Sequence, residues 1–295
     1  MLKQIKTSGT GSVTISSDLF ERLYLQPKIV GPPLKHPLQK ILGNPTPLGI
    51  IGFEMSLMPV TMQLMDWRQS NGYGSANNAD VIVYGGVLMW TAAFLELLLG
   101  NTFPFLVFMS FGSFYAAYGA QLVPWFATYA SFSDDPIKNP AAGLSSPIYA
   151  ADYGHYWVAF TIVMFWFYVC TFRANVLFVL LFTCITPACG CIAGIFYELA
   201  NGHSERAHNC QLTAGALLFC ACCFGWYLFA GLILPTVDFP IPVPLGDLST
   251  VIPGLTDLTG DTGAETRKEG NRSLNLARFG RKKRDDDAMV DGDAV

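Results

Sequence analysis

Two carboxylic acids, Glu54 and Glu96, lie inside long apolar stretches of this chain. An acid surrounded by hydrocarbon is costly when charged, so each is a functional candidate by default. Glu96 stands four residues before Gly100, about one helical turn from the end of its stretch. There it can accept hydrogen bonds from N–H groups at the starts of neighbouring segments, a structural tie, and a proton-linked role is equally open. Glu54 follows Phe53 directly and is expected to carry no charge or to face other helices.

A second set of residues is marked by spacing. Asn44 precedes Pro45 and Pro47, Asn101 and Thr102 precede Pro104, and Asn175 precedes "VLF". Asn and Thr cap helix N-termini, and proline is tolerated in a first turn, where its missing N–H has no partner in any case. Each is therefore a helix start. Helix starts carry partial positive charge and free N–H groups, which suit an anion, although prolines remove some donors. Plain capping explains the same residues. Phe53 lies nine residues past Asn44, Phe111 ten past Asn101 and Cys184 nine past Asn175. At about 1.5 Å per residue all three reach roughly 13–15 Å into their helices, a shared depth that suits either an apolar constriction or ordinary packing.

The elements that would position these residues are six apolar stretches, at about 47–65, 81–99, 103–125, 156–172, 176–197 and 212–234. Most approach the ~20 residues that cross ~30 Å of hydrocarbon. Short links, "GNT" and "TFRAN", make tight hairpins of the second with the third and of the fourth with the fifth. Tyr84, Gly85 and Gly86 supply small residues for close helix approach. The expected fold is an all-α membrane protein of six transmembrane helices. Residues 1–43 form an N-terminal tail, 44–234 the membrane domain, and 235–295 a Pro-rich and then charged C-terminal tail without structure.

Composition agrees. The chain has 295 residues, 52% hydrophobic and only 14% charged, with a net charge of −4. Its mean hydropathy is +0.37. Soluble domains carry about 25% charged residues. No signal-peptide pattern precedes the first stretch. Of 18 Lys and Arg, only Arg68, Lys138 and Arg206 fall in the first, third and fifth loops, which predicts a multi-pass protein with cytoplasmic termini. Asn271 in "NRS" would then be cytosolic and stay without a glycan. Arg281–Arg284 sit either in a solvated tail or against anionic lipid. Enzyme chemistry is not expected. Cys189 and Cys191 point to different helix faces, there is no CxxC pair, and the four histidines lie outside the apolar stretches. No metal, cofactor or nucleic acid is expected as a partner.

"NPTPLG", "YGG…E" with "GNTF", and "SFGSFY" together resemble the acetate uptake transporter family, which includes succinate–acetate permeases and fungal acetate- and ammonia-linked membrane proteins. The likeness covers about residues 44–234, and "SSDLFERLYL" ahead of it resembles the fungal branch. The resemblance implies a six-helix protein that assembles as a homo-hexamer with a pore in each subunit, passing small monocarboxylates, acetate first, with protons. It carries Asn44, Pro45, Pro47, Tyr84, Glu96, Asn101 and Thr102 over as motif residues. Phe53, Phe111 and Cys184 take the constriction positions. Phe111 replaces a bacterial Tyr, Met89 a Gln, Ala93 a Gly and Pro104 a Gly, which makes the path less polar. Three functions follow: a transporter or channel for acetate-like monocarboxylates, a non-conducting acid-stress sensor or regulator, and a pore for ammonia or a neutral acid. The plasma membrane is the place expected for it as a transporter.

Overall fold

The computed structural model describes residues 42–70, 72–123, 126–248 and 251–253; the calls on the N-terminal tail, on Asn271 and on Arg281–Arg284 lie outside them. Six helices carry the fold: α1 (Thr46–Leu64), α2 (Ser75–Leu98), α3 (Thr102–Gln121), α4 (Pro147–Thr171), α5 (Val176–Ala200) and α6 (Ser204–Ile233). Among the described residues there is no strand, only an isolated antiparallel bridge between Asn175 and Asp247.

Five of these helices, α2 to α6, are long and apolar enough to cross a membrane. The exception is α1, at 19 residues. It carries Glu54 and Gln63, and more than half of it is buried against other helices. A helix wrapped by protein needs less apolar surface than one facing lipid, so its lower hydropathy follows from its place.

Helices α2 and α6 flank α1; α2 packs on α3, α4 on α5, and α5 on α6. Aromatic rings close the circle between α3 and α4, with Phe114 stacked on Phe160 at 5.0 Å and edge-on to Trp157 at 5.3 Å. Helix contacts are close where a side chain is missing. A Cβ on Gly85 would stand 2.5 Å from that of Tyr115, and one on Gly52 2.7 Å from the Tyr84 carbonyl. Tyr84, Gly85 and Gly86 lie in a π-helical segment, Val81–Leu88, of α2. The wider turn belongs to the part of α2 that approaches α1.

The helix starts use their asparagines in two ways. Asn175 Oδ1 accepts from Phe178 N at 2.8 Å, as capping requires, whereas the cap position of α1 is Pro45 and Asn44, one residue outside it, accepts from Thr46 N at 3.0 Å. Asn101 makes no such cap, and its amide turns back to Glu96. Gly100 ends α2 at φ +81°, a left-handed conformation that glycine adopts freely.

Two boundaries differ from the hydropathy reading. The fourth helix starts at Pro147, nine residues earlier than the apolar stretch, with Ser146 Oγ accepting from Tyr149 N at 3.5 Å. The sixth starts at Ser204. Both extensions are polar enough to escape an apolar scan, and they bring His155 and His208 into helices. The Pro-rich tail is also placed rather than structureless as far as Leu248. Leu245 is buried, Val176 N donates to Gly246 O at 2.8 Å, and Leu248 N donates to Ala174 O at 3.1 Å. Gly246, at φ +68°, would bring a Cβ within 2.8 Å of Val176. The segment thus straps the end of α6 to the start of α5.

Candidate functional site

A cavity of about 670 Å³ runs inside the ring of helices. One wall is the stripe Phe53, Leu57, Val60 and Leu64 of α1, spaced one helical face apart. Tyr149, Tyr153, Trp157 and Phe160 of α4 form another, again at spacings of three and four. Ile185 and Cys189 of α5 and Leu218 of α6 complete its depth.

The cavity ends at Phe53 and Phe111. Their rings meet edge to face with centroids 5.2 Å apart. Phe111 also meets Phe160 at 6.0 Å and Phe182 at 6.3 Å, and Tyr115 meets Phe53 at 6.3 Å. Beyond this floor the rings continue through Phe182 to Phe167 at 6.2 Å and on to Phe103 at 6.2 Å. Aromatic side chains therefore fill the bundle from its middle to the start of α3. Edge-to-face pairs each add about 0.5–1.5 kcal/mol beyond area burial, so the floor is held shut by several small attractions.

Cys184, the third residue marked by spacing, is only partly buried and does not line the cavity; its neighbour Ile185 does, and is 1% exposed. One residue turns a helix by about 100°, which is the difference between wall and flank.

The mouth at the Leu64 end is polar and ordered. Gln211 Nε2 donates to Leu64 O at 3.0 Å, and the Tyr73 hydroxyl donates to Gln211 Oε1 at 3.1 Å. Burial, then the nearby Asp66 carboxylate, raise the Tyr73 phenol above its usual range, so it keeps the proton it donates. His208 Nε2 stands 3.8 Å from Asp66 Oδ2. No Lys, Arg, Asp or Glu lines the cavity among the described residues.

At the opposite end, Glu96 is fully buried and gathers two helix starts. Thr46 Oγ1 donates to its Oε1 at 2.5 Å and Asn101 Nδ2 to its Oε2 at 2.6 Å. The sequence pointed to donors at the starts of neighbouring helices, and two of them are the side chains of Thr46 and Asn101. Pro45 and Pro47 stand in the first turn of α1 beside this cluster. Glu54 is different. It is fully buried, outside the cavity wall, and neither oxygen has a hydrogen-bond partner.

The α4 aromatics are the wall residues that motif reading passed over. Their recurrence at 149, 153, 157 and 160 is a helical face, legible once the helix is known to begin at Pro147.

Comparisons with known proteins bear on this arrangement. The chain is 37% identical over 238 residues to protein alcS of Aspergillus fumigatus, covering 81% of this chain and 86% of that one. It is 29% identical over 213 residues to the acetate transporter protein patA of Penicillium expansum, covering 72% and 80%. The bacterial acetate channel SatP superposes with a TM-score of 0.50 at 22% identity, covering 69% of this chain and 99% of SatP, a likeness of fold. The sequence profile of the GPR1/FUN34/yaaH family matches residues 26–249. With its ring of helices and the motifs along α1, α2 and α3, the chain belongs to the GPR1/FUN34/yaaH family of membrane proteins.

Proposed function

We propose that the protein carries acetate and similar small monocarboxylates across the plasma membrane, each accompanied by one proton. The single observation that carries this reading is the cavity itself: a polar mouth, apolar walls without a fixed charge, and an aromatic floor at Phe53 and Phe111. A carboxylate entering such a space gives up hydration and meets no Lys or Arg along its walls, whereas the same solute with its proton does not pay for a buried charge. Relatives named for acetate transport support the substrate class.

In this reading α1 completes a six-helix domain whose termini are cytoplasmic. Phe53 and Phe111 close the path, and Glu96 with Thr46 and Asn101 fixes the ends of α1, α2 and α3. Apolar side chains exposed on α2 and α4, including Val87, Phe94, Ile162 and Trp166, suit lipid or neighbouring subunits of a homo-hexamer. The rival reading, a non-conducting sensor, draws on the docked C-terminal strap, which links the tail to the start of α5.

Liposomes holding the pure protein separate them. Labelled acetate is expected to enter faster than into empty liposomes, and faster still when the outside is more acidic than the lumen. Uptake equal to that of empty liposomes at both pH values would overturn the transport reading.

A further inference from the structure

The feature that the proposed path leaves unused is Glu54. Its side chain is 0% exposed and sits on the face of α1 that packs against α6. Both carboxyl oxygens are sealed from solvent and unpartnered. The space that receives them is made by a missing side chain on the facing helix. A Cβ on Gly225 would stand 1.7 Å from Glu54 Oε1 and 2.8 Å from its carboxyl carbon.

The neighbours offer no compensation. From α6 the Cys222 thiol adjoins the carboxyl, and from α3 the Tyr115 hydroxyl is the other ionisable group close by. Helix α2 faces this part of α1 with Gly85 and Met89, which carry no charge. Its own acid, Glu96, is engaged with Thr46 and Asn101. Among the described residues no cation acts on Glu54. The Glu54 carboxyl itself fills the space that a side chain on Gly225 would take, so the two helices meet there without a side chain between them. A charged carboxylate in that space would be a buried ion with at most the weak donor of the Cys222 thiol beside it, an arrangement that proteins avoid by holding the group neutral.

We propose that Glu54 is a proton-binding site built into the seam between α1 and α6, whose occupancy the closed seam requires. Loss of that proton breaks the O–H bond, passes H⁺ to water admitted as the helices part, and leaves a carboxylate that demands hydration. Phe53, the next residue, forms the cavity floor, so movement of this part of α1 moves the floor as well. The site stands on its own geometry; only its link to solute movement rests on the transport reading.

Infrared spectroscopy of the full-length protein in lipid vesicles tests the site directly. The carbonyl stretch of a protonated carboxylic acid free of strong hydrogen bonds is expected at neutral pH. It should vanish in Glu54→Gln and survive in Glu96→Gln. Its absence from the wild type at neutral pH, or its survival in Glu54→Gln, would overturn the proposal. Thermal unfolding gives a second reading. The closed bundle binds one proton that the unfolded chain holds only in the ordinary carboxyl range, so raising pH above that range favours unfolding. The melting temperature of the wild type is therefore expected to fall from mildly acidic to mildly alkaline pH, and the slope to flatten in Glu54→Gln; equal slopes would contradict the site. Gly225→Ala should lose stability and regain it in combination with Glu54→Ala, whereas a Gly225→Ala protein as stable as the wild type would overturn the closed seam. Acetate uptake measured on the same samples keeps the two claims apart: an intact infrared band with no uptake supports the site and ends the transport reading.

Discussion

Glu96→Gln is expected to reduce folded protein at the membrane and labelled-acetate uptake by about tenfold, the equivalent of about 1.4 kcal/mol. The reason is local. Glu96 accepts from Thr46 Oγ1 on α1 and from Asn101 Nδ2 at the start of α3, while itself belonging to α2. Three helices are held at one point. Hydrogen bonds to a charged group contribute about 1.5–3 kcal/mol each, and a buried donor left without a partner costs about 1–3 kcal/mol. Glutamine has one acceptor oxygen where glutamate has two, so its NH₂ must face one of the former donors. Glu96→Ala, which takes the acceptor from the buried Thr46 hydroxyl and from the half-buried Asn101 amide, should cost more than Glu96→Gln. Glu54→Gln should cost less, because Glu54 makes no hydrogen bond to lose. Quantifying membrane-inserted protein and uptake for the three variants checks this order. Wild-type uptake in both Gln variants would refute the tie.

Removing the floor should change selectivity more than rate. Phe53 and Phe111 are 6% and 5% exposed, line the cavity and meet edge to face. Phe53→Ala and Phe111→Ala each delete most of a ring, so the path widens where the aromatic plug begins. Lactate and succinate should gain relative to acetate in both variants. Phe111→Tyr places a hydroxyl among Phe53, Phe160 and Phe182, and should favour the carboxylate over the neutral acid. If the rings only pack the core, each Ala variant loses about 3–5 kcal/mol of stability and the substrate ratio stays put. The acetate-to-succinate uptake ratio, normalised to protein in the membrane, distinguishes the outcomes.

Much of this arrangement is legible in the sequence because it depends on local chemistry. Asn44 with Pro45, and Asn175 ahead of "VLF", state where helices begin: Asn175 caps α5, and Asn44 stands one residue outside the α1 cap with its side chain bonded to Thr46 N. Gly85 and Gly86 foretell the close approach of α2 to its neighbours. What depends on distant partners is not legible. Nothing near Glu96 in the chain announces that Thr46, fifty residues earlier, would donate to it. The register of α5 is one residue from the reading that chose Cys184, since depth counted along a helix does not say which way a side chain faces. Helix α4 escaped in part because Asp152 and His155 lower its hydropathy, although the aromatic face it carries runs on through them. The docking of residues up to Leu248 is invisible to composition, because a proline-rich strap and a structureless tail have the same one.

The central claim is that the solute crosses the uncharged floor together with its proton. It is tested most directly by recording lumenal pH and labelled acetate in the same liposomes while a potassium gradient with valinomycin sets the membrane potential. The account predicts one proton gained by the lumen for each acetate that enters, at a rate the potential does not alter, and above the leak of empty liposomes. Acetate entry that follows the potential and leaves lumenal pH unchanged would show passage of the bare anion and contradict it.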